Sequence, residues 1–257
     1  MMRTSNPVLS EKAFEAKRAY GAGETMSIQG VVNKSFFLLF LVFLSASWMW
    51  SKIFQPVPQY QDALSYSTTA VMPFMMGGAF IGFILAMVTV FKMQWSKVTA
   101  PLYSICEGLF LGGISAIFEL RYPGIVLQAV GLTFGVLFSL LLAYKSGFVR
   151  VTDKFRLGVT SATMAICLFY LGDLILRFFG SGIPWIHQGG MLGIGLSLII
   201  VIVAALNLVL DFDLIESLAS RGAPKYMEWY GAFALMVTLI WLYLEILRLL
   251  AKLNQRR

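Results

Sequence analysis

Of the carboxylates within or at the rim of long apolar stretches, five are candidates for chemistry: Glu107, Asp173, Asp211, Asp213 and Glu245. A charge in hydrocarbon is costly, so such a group needs a partner, a proton or a water-filled cavity, and it marks a candidate ion or proton site. Asp211 and Asp213 are two residues apart, about 200° around a helix, and cannot share a face. Asn207 and Asp211 are four apart and do share one. That spacing turns Asp211 toward a bundle interior with Asn207 behind it; the alternative is an interfacial residue at a helix end. Asp213 falls with Glu216 on another face, in reach of water or of basic loop residues. Asp173 precedes Arg177 by four and Glu245 precedes Arg248 by three, spacings that suit ion pairs within one helix. Arg248 has a second reading, as a gate or latch cation facing a carboxylate on another helix.

Depth couples Glu107 to Asp211. Each is expected about 5 to 10 Å below the same membrane surface, at a rise of 1.5 Å per residue. Two carboxylates at one depth could hold a cation between them or share a proton. A hard cation such as calcium wants several oxygens, and Asn207, water and backbone carbonyls would complete the set. The arrangement requires helices 3 and 6 to touch.

The elements that must position these groups are set by composition. Of 257 residues 58% are hydrophobic and 13% are charged, about half the charge of a soluble domain. Seven apolar runs follow a polar tail at 1–30: 35–55, 68–91, 100–120, 124–146, 158–179, 190–214 and 229–251. Each is long enough to cross about 30 Å of hydrocarbon. None alternates polar with apolar residues as a barrel strand does, and backbone groups in lipid must be satisfied within the segment, so helices follow. The expectation is an all-α membrane protein: one seven-helix transmembrane bundle over 31–253, with a short basic end at 254–257. The opening residues hold no run of signal-peptide type.

The net charge of +7 implies no nucleic-acid partner. Seven spans put 13 of the 20 Lys and Arg residues on the side of the tail and loops 2–3, 4–5 and 6–7. By the positive-inside rule that side, with the N-terminus, is cytoplasmic. The basic C-terminus fits an outside position poorly, so either it is tolerated or the last segment stops short. Glycines four apart, at 78 and 82, 108 and 112, 131 and 135, and 189 and 193, predict close helix packing in lipid. Pro73 is positioned to kink the second helix. Cys106 and Cys167 sit in apolar runs and make no disulfide framework.

No enzyme is expected. Neither a His-Glu-x-x-His metal motif nor a Gly-x-Ser-x-Gly turn occurs. Tyr170-Leu171-Gly172-Asp173 lacks the first glycine of the Gly-x-Gly-Asp found in aspartyl membrane proteases. His187 is the sole histidine, which excludes a histidine-rich metal site.

Three stretches resemble the Bax inhibitor-1 family, in particular its bacterial YccA-like members. They are AVGLTFGVLFSLLLAYKSGFVRVTDKFRLGV (129–159), LVLDFDLIE (208–216) and WLYLEILRLLAKL (241–253). They are similar to the family's fourth helix with its basic loop, its sixth-helix aspartate segment and its C-terminal arginine stretch, in that order. The resemblance implies seven helices around a central cavity and no resident cofactor. Some bacterial members look like pH-sensitive calcium leaks with paired aspartates on helices 6 and 7. On this chain the sixth-helix aspartate falls on Asp211 and the last-helix arginine on Arg248. The seventh-helix aspartate, ten residues before that arginine, falls on Thr238, which carries no charge. The resemblance therefore implies a cation leak or transport protein of the bacterial inner membrane, with calcium as the passing ion. The alternative it leaves is a non-transporting regulator of a membrane-bound protease or of a stress response, acting through protein contact.

Overall fold

The structure, a computed structural model, describes residues 25–54, 63–180 and 190–256, without the side chains of 63–70. The expectations for the N-terminal tail up to residue 24 and for His187 lie outside those residues. Seven helices are long and apolar enough to cross a membrane: α1 (Ile28–Ile53), α2 (Ala63–Phe91), α3 (Ser96–Arg121), α4 (Ile125–Lys145), α5 (Asp153–Phe178), α6 (Met191–Ser220) and α7 (Met227–Gln255). A 3-10 turn, Met93–Trp95, joins α2 to α3. The chain is a multi-pass membrane protein. Phe43, Phe80, Leu127 and Leu168 point outward, as lipid-facing side chains do on helices that are apolar all round.

The helices overrun the apolar runs at several ends because polar residues can cap them. Ser27 caps α1 by accepting from the Gly30 N–H, and Thr152 caps α5 by accepting from the Phe155 N–H at 3.2 Å. α2 continues through Pro73. α7 has 29 residues, about 43 Å at 1.5 Å each, so the last segment is long enough to cross completely.

α7 is the axis of the bundle, packed on α6, α1, α4 and α3. One core joins α1, α3 and α7 through Val31, Leu38, Tyr103, Phe233 and Met236. A second joins α4, α6 and α7 through Ala129, Ala204, Leu208, Leu242 and Leu247. α2 lies along α3, and α5 is held by α6. α1 and α4 face each other across a cleft. The starts of α1, α3, α5 and α7 share one face with the ends of α4 and α6. Met26 N donates to Ala223 O at 2.8 Å, Ser96 Oγ to Tyr226 O at 3.2 Å, and Arg156 pairs with Asp213 at 2.7 Å. This is termed the near face below.

Two of the glycine pairs make the expected close approach. A Cβ on Gly78 would stand 2.6 Å from the Cys106 carbonyl of α3, and one on Gly108 would stand 2.5 Å from the Val42 carbonyl of α1. Gly82 and Gly112 continue these contacts against Glu107 and Ala46. Gly131 and Gly135 do not: a Cβ on either meets nothing within 4 Å. They lie on the outer side of α4, which packs chiefly through its opposite side on α6 and α7. Gly193 is buried and its carbonyl is used by a side chain described below; Gly189 lies outside the described residues.

Candidate functional site

Asp211 stands nine residues before the end of α6, about 13 Å along the axis from the near face. Its neighbours Leu208, Val209, Phe212 and Ile215 are buried and fix the helix against the rest of the bundle. The Asp211 Oδ2 atom is enclosed, and among the described residues it has no hydrogen-bond partner. From α7 the Thr238 hydroxyl lies beside the Asp211 carboxyl group, and its alternative acceptor is Ala234 O at 3.3 Å. Thr238 lies eleven residues from the start of α7, about 16 Å deep, so antiparallel helices bring the two residues to one level. Asn207, one turn from Asp211, donates through Nδ2 to Thr163 Oγ1 of α5 and to Val203 O, both at 2.8 Å. Asn207 thus ties α6 to α5, while Asp211 turns toward α7.

Glu107 does not join this group, contrary to the sequence expectation. It stands eleven residues into α3, about 16 Å deep, which is deeper than expected though close to the level of Asp211; its direction differs altogether. The close fit of Gly78 and Gly82 draws α2 onto α3, and Glu107 Oε2 lies 2.9 Å from where a Gly82 Cβ would stand. The neighbouring Gly108 faces the other way, into α1. Glu107 thus lies half-buried at the contact of α3 with α2, and Asp211 between α6 and α7. α3 and α6 do not pack extensively on each other, as a site shared by the two carboxylates would require.

Arg248 forms a latch of a different kind from the one anticipated. It bonds Glu245 Oε1 of its own helix at 2.8 Å and Tyr170 Oη of α5 at 2.7 Å. The Tyr170 hydroxyl lies 3.1 and 3.3 Å from the two Glu245 oxygens, and the guanidinium sits 5.4 Å from the Tyr170 ring centroid. The interhelical partner is a phenol, not a carboxylate. Tyr170 was missed in the sequence, although it precedes Asp173 by three and Arg177 by seven and so shares their helix face. Asp173 is 5% exposed and bonds Arg177 at 2.9 Å, the pair its spacing predicted.

Lys252, two residues before the basic C-terminal end, is 3% exposed. Its ammonium donates to Gly193 O at 3.0 Å and Ser197 Oγ at 2.7 Å, tying the end of α7 to the start of α6. On the near face Glu228, also missed, is fully buried. It accepts from Ser27 N at 2.9 Å and Ser27 Oγ at 3.0 Å and pairs with Lys34 and with Lys225, the latter at 3.3 Å. Gly30 makes room for it, since a Cβ there would overlap its carboxylate. Asp213 meets the basic loop through Arg156, and Glu216 accepts from Tyr144 Oη at 2.6 Å.

Among the described residues no three His, Cys, Asp or Glu side chains gather as ligands for a metal ion. A calcium ion at Asp211 would have one carboxylate and otherwise neutral oxygens, a set suited to passage more than to tight retention. The chemistry available at Asp211 is proton exchange and weak cation contact.

A family model described as Bax inhibitor 1 like matches residues 6–255, nearly the whole chain. No curated protein and no solved structure matches.

Proposed function

The chain belongs to the Bax inhibitor 1 like family, and we propose that it is a cation leak protein whose passage of calcium or protons is governed by the protonation of Asp211. The observation that carries this is the enclosed Asp211 oxygen that no donor satisfies. Buried polar atoms are nearly always hydrogen-bonded, and an exception calls for a proton, a water or an ion. Thr238, at the position where the family resemblance implies a second aspartate, faces that carboxyl group. The site therefore works with one acid and one hydroxyl, and a single proton changes its charge. Arg248, fastened to Glu245 and Tyr170, closes the far half of the bundle by holding α7 to α5. The protein acts without bond-making chemistry, in a bacterial inner membrane, with its N-terminus in the cytoplasm.

Purified protein in calcium-dye-loaded liposomes tests this. The wild type should leak calcium at a rate that changes across neutral pH, and Asp211→Asn should leak at a rate that does not. Protein-free rates for the folded wild type, or an intact pH response in Asp211→Asn, would overturn the proposal. Absent flux together with co-purification of a membrane protease would favour the regulator in its place.

A further inference from the structure

The cleft between α1 and α4 holds two cavities of about 800 and 780 Å³ that share Phe36, Leu39, Phe134 and Leu239 in their walls. They are thus consecutive parts of one lateral groove. The near-face half ends among charges and the other half is apolar down to Trp50. We propose that this groove binds an anionic phospholipid of the surrounding membrane, with the phosphate on Lys145 and Arg150, an ester carbonyl on Ser35 and one acyl chain lying between α1 and α4.

Three observations converge on that occupant. First, Lys145 and Arg150 line the near-face mouth and make no ion pair among the described residues. Of the acids beside them, Asp213 is engaged by Arg156 at 2.7 Å, and Glu216 accepts from Tyr144 at 2.6 Å. Two free cations against one carboxylate without a cation leave the mouth positive, as an anionic headgroup requires. Second, Ser35 lines the same cavity, is 6% exposed, and its hydroxyl has no hydrogen-bond partner. It stands seven residues into α1, about 10 Å below the helix start, the level at which a headgroup gives way to ester and chain. A buried donor without an acceptor is costly, and an ester carbonyl supplies the acceptor. Third, the groove runs along α1 from Ser35 to Trp50, about 22 Å. One leaflet of hydrocarbon is about 15 Å deep, so a single chain fits along it. The site is separate from Asp211 and holds whether or not that residue governs a leak.

Native mass spectrometry of the full-length protein, titrated with phosphatidylglycerol and phosphatidylcholine of identical chains, tests the proposal. The wild type should retain phosphatidylglycerol preferentially. Lys145→Gln and Arg150→Gln should each lower that preference roughly fivefold, while Lys97→Gln, a near-face lysine outside the groove, should leave it unchanged. Ser35→Ala should weaken both lipids alike, and Leu39→Trp should obstruct both. Unfolding temperatures measured alongside separate a lost site from a lost fold. Equal retention of the two lipids by the wild type, or a preference that survives Lys145→Gln/Arg150→Gln in a folded protein, would overturn it. So would a groove found occupied by a helix of another membrane protein with no lipid preference.

Discussion

At the level of single residues, the polar groups of this bundle divide into satisfied and unsatisfied ones. Glu245 has Tyr170 and Arg248, Glu228 has Ser27, Lys34 and Lys225, and Lys252 has Gly193 and Ser197. Asp211 alone among the candidate carboxylates has an enclosed oxygen without a donor. Thr238→Asp adds a second acid beside it, and two coupled carboxylates titrate in separate steps. The pH response of calcium flux in that variant should spread over a wider range than in the wild type, as a flux-against-pH curve will register. Removing Glu245 as Glu245→Ala takes the shared acceptor from the part-exposed Arg248 and from Tyr170 and should cost about 2–3 kcal/mol of stability. Tyr170→Phe keeps the ion pair and should cost about 1–2 kcal/mol. Thermal unfolding in detergent orders the two. The ion pairs at 173/177 and 245/248 were legible because both partners sit on one helix at fixed spacing. Glu228 and Lys252 were not: Ser27 and Lys34 lie about 200 residues from Glu228, and Gly193 and Ser197 about 60 from Lys252, while Lys225, three residues before Glu228, lies ahead of the helix start; no local pattern announces a partner brought by packing.

At the level of elements, hydropathy located all seven helices but not their ends or their neighbours. α1 starts at Ile28, not residue 35, because Ser27 provides a cap and Glu228 anchors the entry. The glycine spacing showed where helices can approach closely without showing which do. Gly108 and Gly112 meet α1, whereas Gly131 and Gly135 meet open space. An added side chain should therefore have opposite outcomes at the two kinds of position. Gly108→Val forces α1 away from α3 at an overpacking cost of about 1–3 kcal/mol or more. Gly131→Ala removes a poor helix former from an open surface and should be neutral or stabilising by up to about 1 kcal/mol. Unfolding midpoints of the two variants against the wild type check both signs. The misplaced partnership of Glu107 has the same origin: depth follows from counting residues, but direction around the axis follows from which neighbour a small-residue stripe admits.

At the level of the whole molecule, α7 carries the organisation. It supplies Thr238 to the Asp211 level, Glu245 and Arg248 to the latch, and Lys252 to the start of α6. Turning Lys252 inward also eases the conflict between a basic C-terminal end and an outside location, since that charge is spent within the bundle. Reporter fusions at the two termini should accordingly place the N-terminus in the cytoplasm and the C-terminus outside, with Lys252→Leu leaving that topology intact. The most direct measurement compares calcium flux through wild type, Asp211→Asn and Glu107→Gln in matched liposomes at a series of pH values. With Asp211 as the controlling group, wild type and Glu107→Gln give the same pH-dependent leak and Asp211→Asn gives a flat one. A flat response from Glu107→Gln, with the wild-type curve retained by Asp211→Asn, would contradict it.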